Sequence, residues 1–394
     1  MQEVFIADFI RSPFSRSRPS EPERDVFNAI RMDDVLSQLL RELVKRNGID
    51  ASKVGDVITG CALQVGENWL YGGRHPVLLA GFPVSVSSAA IDRACSSSMN
   101  AIMMGALEIT SGYSDIVIAG GLEHMTHVPM SNNPHIEPNV RLLVRPEYMK
   151  YQMATGYSMG LTAEKLAEKE GFGRQEMDEL ALRSHRLASA SLEDGWFKGE
   201  IMPVKTTVEG NEVTVAKDQS IRKDTSIEQL SSLKAAFKEG GVITAGNSAP
   251  LNAGASAVLL MSERSVKEAG IKPLARIASM GWAGVEPDLM GKGPVPASRK
   301  ALDHAGLRPE DIDLWEINEA FAVVVLYAVR ELGLDIKRVN IHGGGMAIGH
   351  PLGATGARIT GTLARELNEG EKEKGVATLC VGGGQGFSIV LERV

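Results

Sequence analysis

The chain is built from one pattern that occurs twice, and this internal repeat constrains its fold more than any other feature. Each copy contains a helix, an acidic turn and a short apolar strand, then a helix rich in small residues and a strand that ends in glycines. A final apolar strand closes each copy. The matching segments are 33–60 and 294–320, 95–121 and 352–384, and 254–263 and 386–394. The repeat predicts two similar α/β halves related by a pseudo-twofold axis.

A more polar segment, residues 122–247, interrupts the first copy. It contains helix-forming stretches such as "TAEKLAEKEGF" and indicates a mostly helical inserted domain. We therefore predict an N-terminal half over residues 1–121, completed by 248–270, and a C-terminal half over 271–394. Buried strands such as "DIVIAG" and "VATLCV" alternate with helices, which predicts mainly parallel sheets in helix, sheet, helix, sheet, helix layers. In such sheets ligands bind at the carboxyl ends of strands.

Composition argues against several classes of protein. The net charge is −7, and basic residues are scattered among acidic ones, so we expect no nucleic-acid binding. We expect no signal peptide in the first residues, and no apolar run approaches the ~18 residues of a membrane span. The cysteines, Cys61, Cys95 and Cys380, are too few for a disulfide framework, which favours a reducing, cytoplasmic location. We expect no metal site.

Cys95 is the candidate nucleophile. It opens a run of helix-forming residues, "CSSSMNAIMM", and the free N–H groups at a helix N-terminus lower the pKa of a thiol. Arg93 would add positive charge if its side chain points toward the sulfur. The alternative is a buried cysteine that packs as a small apolar side chain.

Three other residues lie in segments that suit chemistry. His350 follows Gly343–Gly345 and precedes a proline, so it could act as a base or oxyanion donor, or simply cap a turn. Cys380 ends an apolar strand and could move protons, while the N–H groups of Gly382–Gly384 could form an oxyanion nest; a core cysteine before a tight turn is the alternative. Asn318 interrupts the apolar run "LWEINEAF" and could hold a water for an oxyanion, cap the next helix, or do both.

Taken together, four motifs resemble those of the thiolase family: "CSSSMNAI", "NEAF", "GGGMAIGHPLGATGAR" and "CVGGGQG". They occur in the family's order and spacing, and the resemblance covers essentially the whole chain. It implies a thiolase-like, five-layered αβαβα fold and an acyltransferase that exchanges 3-ketoacyl-CoA and CoA with acyl-CoA and acetyl-CoA. Coenzyme A and acyl-CoA would be substrates, with no tightly bound cofactor. A homodimer or a dimer-of-dimers tetramer is expected, and a hydratase/dehydrogenase partner stays open.

The resemblance also implies a role for each motif residue. Cys95 would take the acyl group, and His350 would activate it and share an oxyanion hole with a water held by Asn318. Cys380 would carry a proton to and from the α-carbon or the CoA sulfur. The N–H groups of Cys95 and Gly382 would form the second oxyanion hole. Family positions along the path of CoA are occupied by Met159, Arg222, Leu233, Phe237, Ala245, Ala249, Met290 and Phe321.

The chain departs from the family pattern at four positions. Ser98 replaces a glycine of the nucleophile motif, and Ser158 replaces a histidine of the biosynthetic members. Gln229 and Ala249 replace serines that contact CoA in many relatives. The preferred acyl chain length and the physiological direction therefore stay open.

Three other functions compete with a thiolase. A condensing enzyme of the ketoacyl synthase kind would need one cysteine with two histidines, or with a histidine and an asparagine, so Cys380 argues against it. A non-catalytic acyl-CoA-binding scaffold would not need Cys95, Asn318, His350 and Cys380 together. A redox sensor built on Cys95 and Cys380 would lack a resolving-cysteine motif.

Overall fold

The computed structural model describes residues 2–394. Its strands are β1 (Val4–Arg11), β2 (Asp56–Gly60), β3 (Ser87–Ile91), β4 (Ile116–His124), β5 (Val204–Val208), β6 (Asn211–Val215), β7 (Ala253–Ser262), β8 (Ala275–Gly284), β9 (Leu314–Ile317), β10 (Lys374–Val381) and β11 (Gln385–Glu392). Its helices are α1 (Met32–Arg46), α2 (Arg74–Leu79), α3 (Ser97–Thr110), α4 (Arg141–Val144), α5 (Met153–Gly156), α6 (Met159–Glu170), α7 (Arg174–Glu193), α8 (Ile227–Ser231), α9 (Glu263–Ala269), α10 (Pro294–Ala305), α11 (Ala322–Leu332), α12 (Gly345–Ile348) and α13 (Leu352–Glu369). None of these helices has the length and apolar character needed to cross a membrane.

The predicted repeat is present in the sheet. The strand order is β3-β2-β4-β7-β1 in the first half and β9-β10-β11-β8 in the second, so equivalent strands occupy equivalent places. The two sets join between β1 and β8 through the pairs Phe5 with Arg276 and Ile6 with Ala275. A single bridge between Trp315 and Val339 stands where the second half would have a counterpart of β3.

The prediction of mainly parallel sheets is wrong. β2 is parallel to β3 and β4, and β9 is parallel to β10, but the other ladders of this sheet are antiparallel. The cause is visible at Gly382–Gly384, where β10 turns directly into β11. Gly383 and Gly384 have φ values of 81° and 83°, which glycine adopts without strain. A turn this short can join only antiparallel strands.

Two helices form the central layer between the halves. α13 is buried almost throughout its length, and it contacts α3 and strands of both halves. A Cβ on Gly356 would lie 2.4 Å from the nitrogen of Met99, so glycine allows the two helices to approach closely. α1 and α10 cover the outer faces of the two sets of strands. These layers are the five-layered αβαβα arrangement of the sequence prediction.

The segment between β4 and β7 contains five helices, α4 to α8, and the small hairpin β5–β6, which sequence patterns did not suggest. It is tied to β1 by buried ion pairs from Arg11 to Glu200 and Asp218, each at 2.7 Å. The domain limits given above stay a prediction.

Candidate active site

A cavity of about 610 Å³ lies where the N-termini of α3 and α13, the end of β10 and the inserted segment meet. Its walls include Cys95 from the first half and His350 and Cys380 from the second. Its lining also contains five of the residues predicted along the CoA path, namely Met159, Phe237, Ala249, Met290 and Phe321. The cavity therefore unites three candidate reactive side chains from opposite halves.

The backbone around Cys95 is strained. Ala94 has a φ of 45°, a left-handed value that is uncommon for a residue with a side chain. Cys95 follows it in a short 3₁₀ turn, Ala94–Ser96, that leads into α3. The Ser97 hydroxyl holds the turn, because it accepts from the N–H of Arg93 at 2.9 Å and donates to the Ala94 carbonyl at 2.7 Å. Strain of this kind is common where a side chain must be presented to a ligand.

The expectation of a low thiol pKa at Cys95 is wrong. Burial raises the pKa of this thiol to about 11, although the N–H groups of Gly382 and of Cys95 itself act in the opposite direction. Arg93 does not help, because its guanidinium lies over the rings of Trp282 and Phe387, 5.9 and 5.4 Å from their centroids. Desolvation disfavours a charged thiolate more than the helix terminus favours it. Cys95 is therefore a neutral thiol that requires a base.

His350 is neutral as well. Burial, and secondarily the charge of Arg358, lowers the pKa of this imidazole to about 3. Its Nδ1 lies 2.7 Å from the hydroxyl of Thr355, which itself donates to the carbonyl of Pro351 at 2.8 Å. Because that hydroxyl donates its own proton to Pro351, it must accept from Nδ1–H, which leaves Nε2 unprotonated and able to accept a hydrogen. Asn318 points its Nδ2 at this Nε2 from 3.3 Å.

Cys380 lies close enough to Cys95 for their charges to interact. Burial raises the pKa of the Cys380 thiol strongly, and a negative charge on Cys95 would raise it further. The sequence left open whether Gly382–Gly384 form a tight turn or present N–H groups to the site. They do both, because the segment is a tight turn and the N–H of Gly382 is directed at the Cys95 sulfur. Asn318 is fully buried, and its Oδ1 has no hydrogen-bond partner among residues 2–394.

Three residues predicted along the CoA path lie outside this cavity. Arg222 and Leu233 line a separate surface depression, together with Gln229. Ala245 is exposed and lines neither space. Positions that belong to one extended path in a sequence need not share one cavity, because an extended ligand can run from a pocket across the surface.

The site also depends on residues that sequence patterns did not single out. Glu123, at the end of β4, is fully buried and accepts from the N–H of Ala62 at 2.9 Å, from Asn68 Nδ2 at 2.8 Å and from the N–H of Gly353 at 3.0 Å. Burial raises the pKa of this carboxyl to about 7. Asn252 accepts from the His350 N–H at 2.7 Å. The only sequence signal for Glu123 was a carboxylate directly after two glycines and a leucine.

Ser98, the departure from the nucleophile motif, has a structural partner. Its hydroxyl accepts from the N–H of Ala357 in α13 at 2.8 Å. Ser98 therefore links the helix that begins near Cys95 to the helix that follows His350. The serine in place of the family's glycine is thus compatible with the cavity. Ser158, the second departure, lies in the cavity wall.

One cluster in the described residues has donor atoms of the type that bind metals: Glu67, His124 and His127. Its nitrogens are already engaged, since His124 Nε2 lies 3.2 Å from the Phe27 carbonyl and His127 Nδ1 lies 2.9 Å from Glu67. The imidazoles stack with centroids 3.7 Å apart and planes inclined by 10°, so their in-plane lone pairs lie in two nearly parallel planes. The cluster is held by hydrogen bonds to neighbouring groups, and we assign no metal to it.

Comparisons with known proteins agree over the full length. The family models for the thiolase N-terminal and C-terminal domains match residues 4–264 and 271–393. The 3-ketoacyl-CoA thiolases of Saccharophagus degradans and Klebsiella pneumoniae are 41% and 42% identical, and each alignment covers 100% of this chain and 99% and 100% of the relative. Crystal structures of the Bacillus anthracis acetyl-CoA acetyltransferase and the human mitochondrial 3-ketoacyl-CoA thiolase match with TM-scores of 0.88 at 39% and 33% identity. Each covers 100% of this chain and 99% of the other.

Proposed function

This chain belongs to the thiolase family, and on that premise we propose that it cleaves 3-ketoacyl-CoA with CoA to acyl-CoA and acetyl-CoA, and catalyses the reverse condensation. The observation that carries the proposal is the meeting of Cys95, His350 and Cys380 in one cavity. Such a reaction shortens a fatty acyl chain by two carbons. Coenzyme A enters as a substrate, so no tightly held cofactor is needed.

In the first step, His350 Nε2 takes the proton of the Cys95 thiol, and the sulfur attacks the 3-keto carbon. The bond between C2 and C3 then breaks. The acyl group stays on Cys95, and the electron pair of the broken bond stays on C2, which leaves as the enolate of acetyl-CoA. The unprotonated Nε2 supports this role, because the proton of the neutral imidazole stays on Nδ1, where Thr355 accepts it. Neutral partners suit the step, since neither group must first be desolvated as an ion.

Cys380 gives its proton to C2 of the enolate, and acetyl-CoA leaves. In the second step the resulting thiolate takes the proton of the incoming CoA thiol, whose sulfur attacks the acyl-Cys95 carbonyl. Cys95 departs and recovers its proton from His350. A thiol kept neutral by burial is suited to this work because it holds a proton until an enolate forms beside it.

Two sets of donors would stabilise the oxyanions. The N–H groups of Cys95 and Gly382 are both directed at the Cys95 sulfur. They could therefore donate to the carbonyl oxygen of an acyl group bound to that sulfur. The second set is His350 with a water bound by Asn318, whose unpaired Oδ1 supports a water site. One such donor is typically worth about 3 kcal/mol of transition-state stabilisation.

The CoA path is proposed to run from Cys95 past Met159, Phe237, Ala249, Met290 and Phe321 to the depression that contains Arg222 and Leu233. Exposed Ala245 would flank that route. Met290 and Phe321 belong to the main core as well, so their side chains also have a packing role.

We also propose a homodimer. β3 is a sheet edge whose residues are partly or fully exposed, and unpaired edge strands readily pair with another chain. Near it in the chain, Trp69, Tyr71 and Val84 are 55%, 64% and 84% exposed. Light scattering of the purified protein would test this. Assembly into a tetramer, a hydratase/dehydrogenase partner and a cytoplasmic location stay predictions; the three free cysteines agree with the last.

The direct test is steady-state thiolysis of 3-ketoacyl-CoAs of increasing chain length, with acetyl-CoA condensation measured beside it. Turnover of at least one 3-ketoacyl-CoA, lost in Cys95→Ser, supports the proposal. CoA binding without turnover of any chain length would favour a scaffold. In that case, acetyl-CoA would also fail to protect Cys95 from iodoacetamide.

A further inference from the structure

Two arginines near the cavity, Arg16 and Arg18, have no role in the function proposed above, and they lie close to Arg222 of the CoA path. Arg16 and Arg18 lie on the extended segment after β1 and are partly exposed. Arg18 is followed directly by Pro19 and Ser20, which line the cavity. Arg222 is exposed and lines the neighbouring depression. Together these three residues form what we call the arginine cluster.

Hydrogen bonds from backbone and side-chain groups hold the two arginine-bearing segments together. The N–H of Ser17 donates to the carbonyl of Leu251 at 2.8 Å, and Leu251 lines the cavity. Asn252 Nδ2 donates to the Ser15 carbonyl at 2.6 Å and to the Ser220 hydroxyl at 3.3 Å. The residues that flank Arg16 are therefore fixed both to the cavity wall and to the segment that leads to Arg222. The cluster therefore adjoins both the cavity wall and the depression.

The cluster carries positive charge that the protein does not neutralise. The charged groups acting on Arg16 are all cations, Arg222 foremost, then Arg18 and Arg24; after burial, they lower its pKa to about 10. Arg24 has a partner in Glu21 at 2.7 Å, but no carboxylate within the described chain offsets the charge of Arg16. Repulsion among these partly buried positive charges raises the free energy of the protein without a ligand. A bound anion would offset that repulsion.

We propose that Arg16 and Arg18 join Arg222 in binding the phosphate groups of the CoA thioester, an inference that rests on the proposed function. Guanidinium groups match phosphate oxygens through paired, charge-assisted hydrogen bonds. CoA has its thiol at one end and its phosphates at the other. With the sulfur at Cys95, the pantetheine arm fills the cavity and the phosphates emerge where the cluster lies. Acyl chain length would not affect these contacts.

The test compares Arg16→Ala, Arg18→Ala and the double variant on two substrates, a 3-ketoacyl-CoA and the matching 3-ketoacyl-pantetheine, which lacks the phosphates. Each single change should raise the KM for the CoA thioester roughly tenfold, the usual size of a lost charge-assisted hydrogen bond, without altering kcat. The KM for the pantetheine thioester should stay unchanged. Arg24→Ala is the matched control, because its charge is already neutralised, and it should change neither KM.

Added inorganic phosphate should compete with CoA in the wild type and lose this effect in the double variant. An equal rise in KM for both thioesters would overturn the proposal, since the arginines would then act on the fold. Unchanged values in every variant would overturn it too. Calorimetry of CoA and pantetheine binding separates this inference from the proposed function: weaker CoA binding in the double variant supports the cluster even without turnover, while equal CoA binding rejects it.

Discussion

At the scale of single residues, the site is a pair of neutral groups rather than an ion pair. The pKa of Cys95 is raised to about 11 and that of His350 is lowered to about 3, both mainly by burial. Between these values neither group carries charge, so proton transfer must occur within the reaction itself. In the proposed mechanism, the Thr355 hydroxyl holds the proton on Nδ1 and so makes Nε2 the base.

The raised thiol pKa makes a direct prediction about alkylation. A thiol that ionises near pH 11 has little thiolate at neutral pH, and the thiolate is the species that reacts. The rate of Cys95 alkylation by iodoacetamide should therefore keep rising through pH 9 and level off only near 11. Brief pulses at each pH, followed by peptide mapping, would measure it. A plateau below pH 8 would show a preformed thiolate and refute the neutral pair.

Thr355→Val should damage catalysis without weakening substrate binding. Loss of the hydroxyl frees the proton to move to Nε2, where it blocks the base, so kcat should fall roughly tenfold or more while KM changes little. Thr355→Ser, which keeps the hydroxyl, is the control and should retain activity. Equal activity of the valine and serine variants would remove Thr355 from the mechanism.

Sequence patterns singled out Cys95, His350, Cys380 and Asn318, because their motifs are local, and the structure brings these residues together while their roles stay a prediction. They misjudged the pKa of Cys95 and left the direction of Arg93 open, because burial and side-chain packing arise only when both halves are assembled. Glu123 was missed for the same reason: its donors come from two distant segments of the chain, the loop that contains Ala62 and Asn68, and the start of α13 at Gly353.

At the scale of elements, the site exists because the N-terminus of α13 fits closely against the first half. A Cβ on Gly353 would lie 2.2 Å from the Leu122 carbonyl and 2.7 Å from that of Gly60, so backbone meets backbone there. Glu123 accepts the Gly353 N–H, placing a carboxylate at the positive end of the helix. Helices and strands followed from periodicity, but these contacts and the antiparallel ladders depend on tertiary packing.

Gly353→Ala should therefore destabilise the fold and disturb His350, which lies just before α13. Overpacking against rigid backbone should lower the free energy of unfolding by about 1–3 kcal/mol. Gly284→Ala is the control, because a Cβ there meets no atom within 4 Å. Urea unfolding of both variants measures the difference. Equal stability of the two would mean that the helix end is free to shift.

At the scale of the whole molecule, a few buried charged side chains connect the inserted segment to the first half and to the central helix. Glu200, from the inserted segment, pairs with Arg11 of β1 at 2.7 Å and contacts Thr362 of α13 at 3.0 Å and Arg365 at 3.6 Å. One carboxylate thus joins the insert, the first half and the central helix. The repeat predicted the two halves, but no local pattern indicated how the insert is attached.

Glu200→Ala should leave Arg11 with only Asp218 as a partner in a fully buried position. Removing one member of a buried ion pair typically costs about 3–5 kcal/mol, so the variant should unfold at clearly lower urea concentration. Glu212→Ala breaks the exposed pair with Lys205 and should cost at most about 1 kcal/mol. Similar losses in both variants would show that Glu200 does not bind the parts together.

In the proposed reaction, two thiols from opposite halves have separate roles: Cys95 carries the acyl group and Cys380 moves the proton. Its most direct test is mass spectrometry of the Cys380→Ser variant after incubation with acetyl-CoA. We expect one acetyl group on the peptide that contains Cys95, together with loss of both thiolysis and condensation. An unmodified Cys95, or full carbon–carbon bond exchange without Cys380, would contradict it.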